Sequence, residues 1–172
     1  MKKIQANILG QIVSSNSTEA YALYKKSFFG EPVEDKIQYS LSEVLFLVEK
    51  GKLEVILKNK KISKKDLLVK LRRIDKKISL KYTVFKDLRQ RGYILKTALK
   101  FGADFRVYGK GEKPGKNHAK WILFTEHESN KLAMHEFSAK NRVAHSTKKN
   151  LLLAIIDEEG KITYYEVGWI RP

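Results

Sequence analysis

Leu151-Leu152-Leu153-Ala154-Ile155-Ile156 is an unbroken apolar run. A strand with one wet face alternates apolar and polar residues; a run without alternation belongs to a strand covered on both faces, inside a sheet flanked by helices. Asp157-Glu158-Glu159-Gly160 follows as a turn, and Ile162 to Trp169 reads as a last strand. Upstream, Asp104–Tyr108 and Ala119–Thr125 have strand character, separated by a polar loop over Gly109–Asn117. Phe137 to Lys149 reads as a helix with Phe137, Val143 and Ala144 inward. Leu80, Val84, Phe85 and Leu88 have helical spacing, stopped by Gly92, and Tyr93–Ala98 follows as a strand. This part is expected to be an α/β sandwich, a central mixed sheet with flanking helices.

The first part carries weaker signals of the same class. Ile4–Ser14 reads as two short strands turning at Gly10. Helix starts fall at Asn16-Ser17-Thr18-Glu19, Ser40-Leu41-Ser42-Glu43 and Ser63-Lys64-Lys65-Asp66, each with a hydroxyl cap and an acid in the first turn. Leu53–Leu57 alternates as a strand, and Glu34-Asp35-Lys36 after Pro32 reads as a polar loop. Patterning weakens at Lys76-Lys77-Ile78-Ser79, so the expected division is a small N-terminal α/β accessory domain over 1–75 and a C-terminal nuclease-like domain over 76–172.

The 172 residues carry 35 Lys and Arg against 19 Asp and Glu, a formal net charge of +16. The excess is spread over both parts. Such a field draws polyanions, nucleic acid above all; a lysine-rich proteome yields the same composition. The chain has no cysteine, which excludes disulfide scaffolds, thiolate metal sites and cysteine nucleophiles. No apolar run approaches the roughly 20 residues that span a bilayer. Gln5 and Asn7 stand where a signal peptide needs apolar residues, so the expectation is a soluble, cytoplasmic protein with no membrane partner. There is no Walker loop, dinucleotide fingerprint or nucleophile-elbow serine. The histidines, His118, His127, His135 and His145, match no short metal-ligand spacing. Glu126-His127-Glu128 reads as a solvated turn. The acid-x-lysine element at Glu34-Asp35-Lys36 lacks the upstream aspartate that a metal-dependent nuclease needs.

Three blocks stand apart: Lys86-Asp87-Leu88-Arg89-Gln90-Arg91-Gly92-Tyr93, Lys100-Phe101-Gly102-Ala103-Asp104-Phe105-Arg106-Val107-Tyr108, and Arg142-Val143-Ala144-His145-Ser146-Thr147-Lys148-Lys149. Together, in this order, they resemble the archaeal tRNA-splicing endonucleases. The resemblance is close over 80–172 and loose over the first 75 residues.

The resemblance implies a catalytic triad of Tyr108, His118 and Lys149, with no metal and no cofactor. It implies cleavage of precursor tRNA at bulge–helix–bulge junctions, leaving a 2′,3′-cyclic phosphate and a 5′-hydroxyl. In that reaction a ribose 2′-hydroxyl attacks its own phosphate. Histidine, with an ordinary pKa of about 6.5, suits protonation of the leaving 5′-oxygen. Lysine offsets charge on the phosphorane. Tyrosine, ordinarily near pKa 10 (an approximate value), either takes the 2′-proton with help from nearby cations such as Lys149 or orients the hydroxyl. The resemblance further implies that Arg142 and Trp169 sandwich a bulge base; the competing reading of Trp169 is a core residue at a strand end. It implies that the acidic turn Asp157, Glu158 and Glu159 enters a pocket of a neighbouring subunit, in a homotetramer or a heterotetramer with a structural subunit; the competing reading is a solvent-facing hairpin turn. His145 is read as structural. The alternatives are a non-catalytic RNA-binding subunit of the same family, against which the filled triad argues, and a metal-dependent DNA nuclease.

Overall fold

A computed structural model describes residues 2–170. The chain divides into two compact units between Tyr82 and Thr83, within one helix. Each unit is a mixed sheet with helices, so the protein is of the α/β class.

In the first unit, β1 (Ile4–Leu9), β2 (Ile12–Ser15), β3 (Glu31–Val33), β4 (Lys36–Tyr39), β5 (Leu53–Leu57) and β6 (Lys60–Lys61) form one sheet in the order β3-β4-β2-β1-β5-β6. Only β1 and β5 run parallel. α1 (Thr18–Ser27), α2 (Leu41–Glu49) and α3 (Lys64–Ile74) are capped by Ser17, Ser40 and Ser63, the hydroxyls expected from sequence. Strict alternation along β1 buries Ile4, Ala6 and Ile8, and Val44, Leu47, Leu67 and Leu71 from α2 and α3 are buried as well. Glu43 is buried because its carboxylate has donors: Gly30 N, Ser40 N and Ser40 Oγ, each at 2.9 Å. Gly30 is obligatory, with φ 75° and Ile37 Cγ2 only 2.3 Å from where a Cβ would stand. Glu34 and Asp35, expected in a polar loop, are the two-residue turn of a β3–β4 hairpin, with Glu34 at φ 53°. Strand β6 adds to the elements expected from sequence.

α4 (Ile78–Gln90) begins at Ile78, inside the stretch read as weakly patterned, because Ile78 is buried. In the second unit, β7 (Ile94–Ala98), β8 (Ala103–Tyr108), β9 (Trp121–His127), β10 (Asn150–Ile156) and β11 (Ile162–Val167) are ordered β11-β10-β9-β8-β7. β9 and β10 are parallel and the other pairs antiparallel. β10 is the apolar run, paired on both edges. α5 (Met134–Ser146) covers one face, where Ile122, Phe124, Leu151 and Leu153 pack with Ala144. On the other face α4 brings Phe85 against Phe105, ring centroids 5.8 Å apart, and Tyr164 Oη of β11 donates to Asp87 Oδ2 at 2.7 Å. Two boundaries differ from expectation. α5 ends at Ser146, so Lys149 is not helical, and β11 ends at Val167, so Trp169 lies beyond the strand.

Candidate active site

The sheet order brings three chain segments to one end. β8 is antiparallel to β9, and β9 is parallel to β10. The finish of β8 therefore lies beside the starts of β9 and β10. Tyr108 is the last residue of β8, His118 precedes β9, and Lys149 precedes β10. Lys120 N donates to Val107 O at 2.9 Å, and Asn150 N to Lys120 O at 3.1 Å, which ties the three segments together beside those residues.

Each position has a local cause. Tyr108 ends an alternating strand and is buried. The polar loop after it is internally braced. Gly109 N donates to Glu112 Oε2 at 2.7 Å, and Lys113 N to Asn117 Oδ1 at 3.0 Å. His118 follows that clamp and precedes Ala119, which is buried, so its backbone is held on both sides while its side chain is exposed. Lys149 is delivered by the end of α5. Lys148 is left-handed at φ 55°; Lys148 N donates to His145 O and Lys149 N to Ala144 O, both at 2.9 Å. That pair of bonds is a Schellman cap, with Lys148 where glycine is usual. Lys149 Nζ donates to Thr147 O at 2.7 Å, satisfying another carbonyl of the helix end.

Burial, and then the Arg106 guanidinium nearby, hold the proton affinity of Lys149 below that of an ordinary lysine. Arg106 lies two residues before Tyr108 in β8, hence on the same side of the strand. Opposite it on β7 is Lys96, which is buried. Sequence reasoning passed over Arg106; its signal was the two-residue spacing from Tyr108 in a strand.

Arg142 is exposed on α5. Trp169 is 50% exposed, so it is not a core residue. It meets His145 edge to face, with ring centroids 3.9 Å apart. Arg142 and His145 are three apart on α5, so they share a face. His145, read from sequence as structural, therefore brings Trp169 to the helix face that carries Arg142.

Asp157, Glu158 and Glu159 form the β10–β11 turn, with Asp157 half-buried and both glutamates exposed. Asp157 Oδ1 accepts from Lys161 N at 2.8 Å, Glu159 pairs with Lys161 at 2.7 Å, and Glu158 N donates to Glu128 Oε1 at 3.0 Å. Glu126 pairs with Lys140 at 3.5 Å. Among the described residues no group of three His, Cys, Asp or Glu is placed to hold a metal. Among them, too, no helix is long and apolar enough to cross a membrane.

A phenol, an imidazole and an ammonium gathered at one end of a mixed sheet, with further cations close by, form a set suited to acid–base work on a phosphodiester. Comparison with known proteins gives the family. The family model of the tRNA intron endonuclease catalytic C-terminal domain matches residues 78–164, and that of the N-terminal domain of the same endonuclease matches 4–68. The first unit, only loosely similar by its motifs, is thus shown to share the family. A tRNA-splicing endonuclease of Pyrococcus horikoshii is 40% identical over 99% of this chain and 98% of its own length. One of Methanothermobacter thermautotrophicus is 37% identical over 99% of both chains, and one of Nanoarchaeum equitans is 44% identical over 81% of this chain and 93% of its own. The chain belongs to the tRNA intron endonuclease family, as an RNA endonuclease carrying both of the family's domains.

Proposed function

We propose that this chain removes introns from precursor tRNA by cutting bulge–helix–bulge junctions without a metal, through attack of a 2′-hydroxyl on the adjacent phosphate. The observation that carries this reading is the convergence of Tyr108, His118 and Lys149 at one end of β8, β9 and β10. Tyr108, as phenolate, takes the proton of the 2′-hydroxyl. The 2′-oxygen bonds to phosphorus and the bond to the 5′-oxygen breaks. His118, as imidazolium, protonates that oxygen. Lys149 offsets the charge on the phosphorane. The products are a 2′,3′-cyclic phosphate and a 5′-hydroxyl. A phenol ionises ordinarily near pKa 10, an approximate value, and nearby cations lower it. Arg106 and Lys110 each stand two residues from Tyr108 along the chain, and Lys149 precedes β10 at the same end of the sheet.

Arg142 and Trp169 clasp a base of the bulge between guanidinium and indole planes, as unpaired RNA bases are commonly held. Four copies assemble, with the acidic turn Asp157–Glu158–Glu159 of one docking in its neighbour. The setting is the cytoplasm. The deciding experiment incubates the purified chain alone with a bulge–helix–bulge RNA in EDTA and analyses the product ends. Cutting in the bulges with cyclic phosphate ends is expected, and a single 2′-deoxy substitution at each cut site should abolish it. Cleavage of the 2′-deoxy substrate would refute the mechanism. Folded protein that cuts only with an added partner chain would refute the four-copy assembly.

A further inference from the structure

Lys58-Asn59-Lys60-Lys61-Ile62-Ser63-Lys64-Lys65 in the first unit holds five lysines in eight residues, against 35 basic residues in 172 overall. It comprises the β5–β6 turn, β6 and the first turn of α3. All five lysines are exposed. Lys61 pairs with Glu54 at 2.6 Å. Among the described residues, Lys58, Lys60, Lys64 and Lys65 make no ion pair.

Two local rules are broken here, both in favour of positive charge. β5 and β6 are joined by the two-residue turn Lys58-Asn59, both residues left-handed at φ 48° and 61°. Glycine, asparagine or aspartate suits such positions, and a lysine is strained there. Lys64 and Lys65 are the first two residues of α3, at the positive end of the helix dipole, where an acidic residue stabilises and a cation opposes folding. Lysine on an edge strand guards against stray pairing, which accounts for Lys60 and Lys61 on β6. That reason does not extend to Lys58 in the turn or to Lys64 and Lys65 in the helix. Three neighbouring positions thus carry positive charge against the local conformational or dipole preference.

We propose that the β5–β6 hairpin and the start of α3 form a second RNA-binding surface, in which Lys58, Lys60, Lys64 and Lys65 hold phosphates of the precursor tRNA away from the cleavage site. The surface rests on the reading of the chain as a tRNA-processing enzyme only for its choice of RNA. Ammonium groups on flexible stems suit backbone phosphates and carry no sequence preference.

The test measures precursor tRNA binding directly over a salt series, using wild type, the triple variant Lys58→Gly, Lys64→Gln, Lys65→Gln, and a charge-matched control, Lys25→Gln, Lys26→Gln, Lys36→Gln. Each change in the triple variant suits the local backbone better, so its melting temperature should be unchanged or raised. Its affinity should fall roughly three- to ten-fold, and its log–log salt slope should flatten by about 2, at ~0.7 to 0.9 per lost phosphate contact. The control should lose less of both. A triple variant with the affinity and slope of wild type overturns the surface, as does a control that loses as much, since the effect is then the general field. Binding with this pattern but without cleavage by wild type, alone or with a partner chain, would support the surface while refuting the catalytic reading.

Discussion

Arg106 shows how one side chain sets the working range of another. Burial and the guanidinium both favour the neutral form of Lys149. On the reading above, Lys149 works as a cation, and Arg106→Gln should raise its pKa, read as a shift of the Lys149 ammonium titration to higher pH by NMR rather than in a rate profile, which the protonation of Tyr108 and His118 also shapes; a titration that stays in place would separate Arg106 from Lys149. The same shift fixes a stability sign. The folded state holds this proton less tightly than the unfolded chain does, so a charged Lys149 opposes folding at neutral pH and is relieved as pH rises through its folded pKa. Lys149→Gln should therefore abolish cleavage while leaving the melting temperature at pH 7 unchanged or slightly raised; a clear drop would show a structural role instead. His145 gives a further residue-level prediction. Its edge contact with Trp169 is of a kind worth about 0.5–1.5 kcal/mol, or roughly three- to ten-fold in binding. His145→Ala should weaken bulge-RNA binding by that factor and shift the tryptophan emission, with kcat at saturation kept, and His145→Phe should restore binding. Equal affinity for all three proteins would show that His145 does not hold Trp169 in place.

At the scale of elements, legibility followed the strength of the apolar pattern. β10 could be read because all its neighbours are protein, and the capped starts of α1, α2 and α3 because a hydroxyl and an acid at fixed spacing have one structural use. β6 escaped because two exposed lysines on an edge carry no alternation. The β3–β4 hairpin escaped because its turn puts Glu34, not glycine, in the left-handed region. The sequence pattern runs α5 on to Lys149, three residues past its end at Ser146, for the same reason: Lys148 takes the left-handed cap position without announcing it. Tyr108, His118 and Lys149 could be named from motifs, but their convergence could not. It depends on β9 running antiparallel to β8 and parallel to β10, which no local spacing specifies. The cap makes its own prediction. A non-glycine residue in the left-handed region costs roughly 1–2 kcal/mol, partly offset by the greater freedom of glycine in the unfolded chain. Lys148→Gly should raise stability by about 0.5–1 kcal/mol in urea unfolding and leave kcat unchanged, because the Schellman bonds that place Lys149 are backbone bonds. Destabilisation would mean that the Lys148 side chain, not the backbone, holds that turn.

At the scale of the whole molecule the governing quantity is charge. A formal +16 on each chain favours RNA and opposes self-association, so copies that assemble need local negative charge to meet positive surface. The β10–β11 turn supplies it, with Asp157, Glu158 and Glu159 in sequence and Glu128 reaching the backbone of Glu158. Asp157 is committed to closing the turn through Lys161 N, and Glu159 is paired only at the exposed surface with Lys161. Glu158 and Glu159 can therefore be reversed without removing the bond that shapes the hairpin. Glu158→Lys with Glu159→Lys adds four units of charge per chain, turning an attractive contact repulsive at the place where docking is proposed. The expected result by light scattering is a fall from four chains of 19.9 kDa to two, with the melting curve of the fold retained. A mass that stays at four chains in the doubly reversed protein would remove the acidic turn from the interface and return it to the solvent.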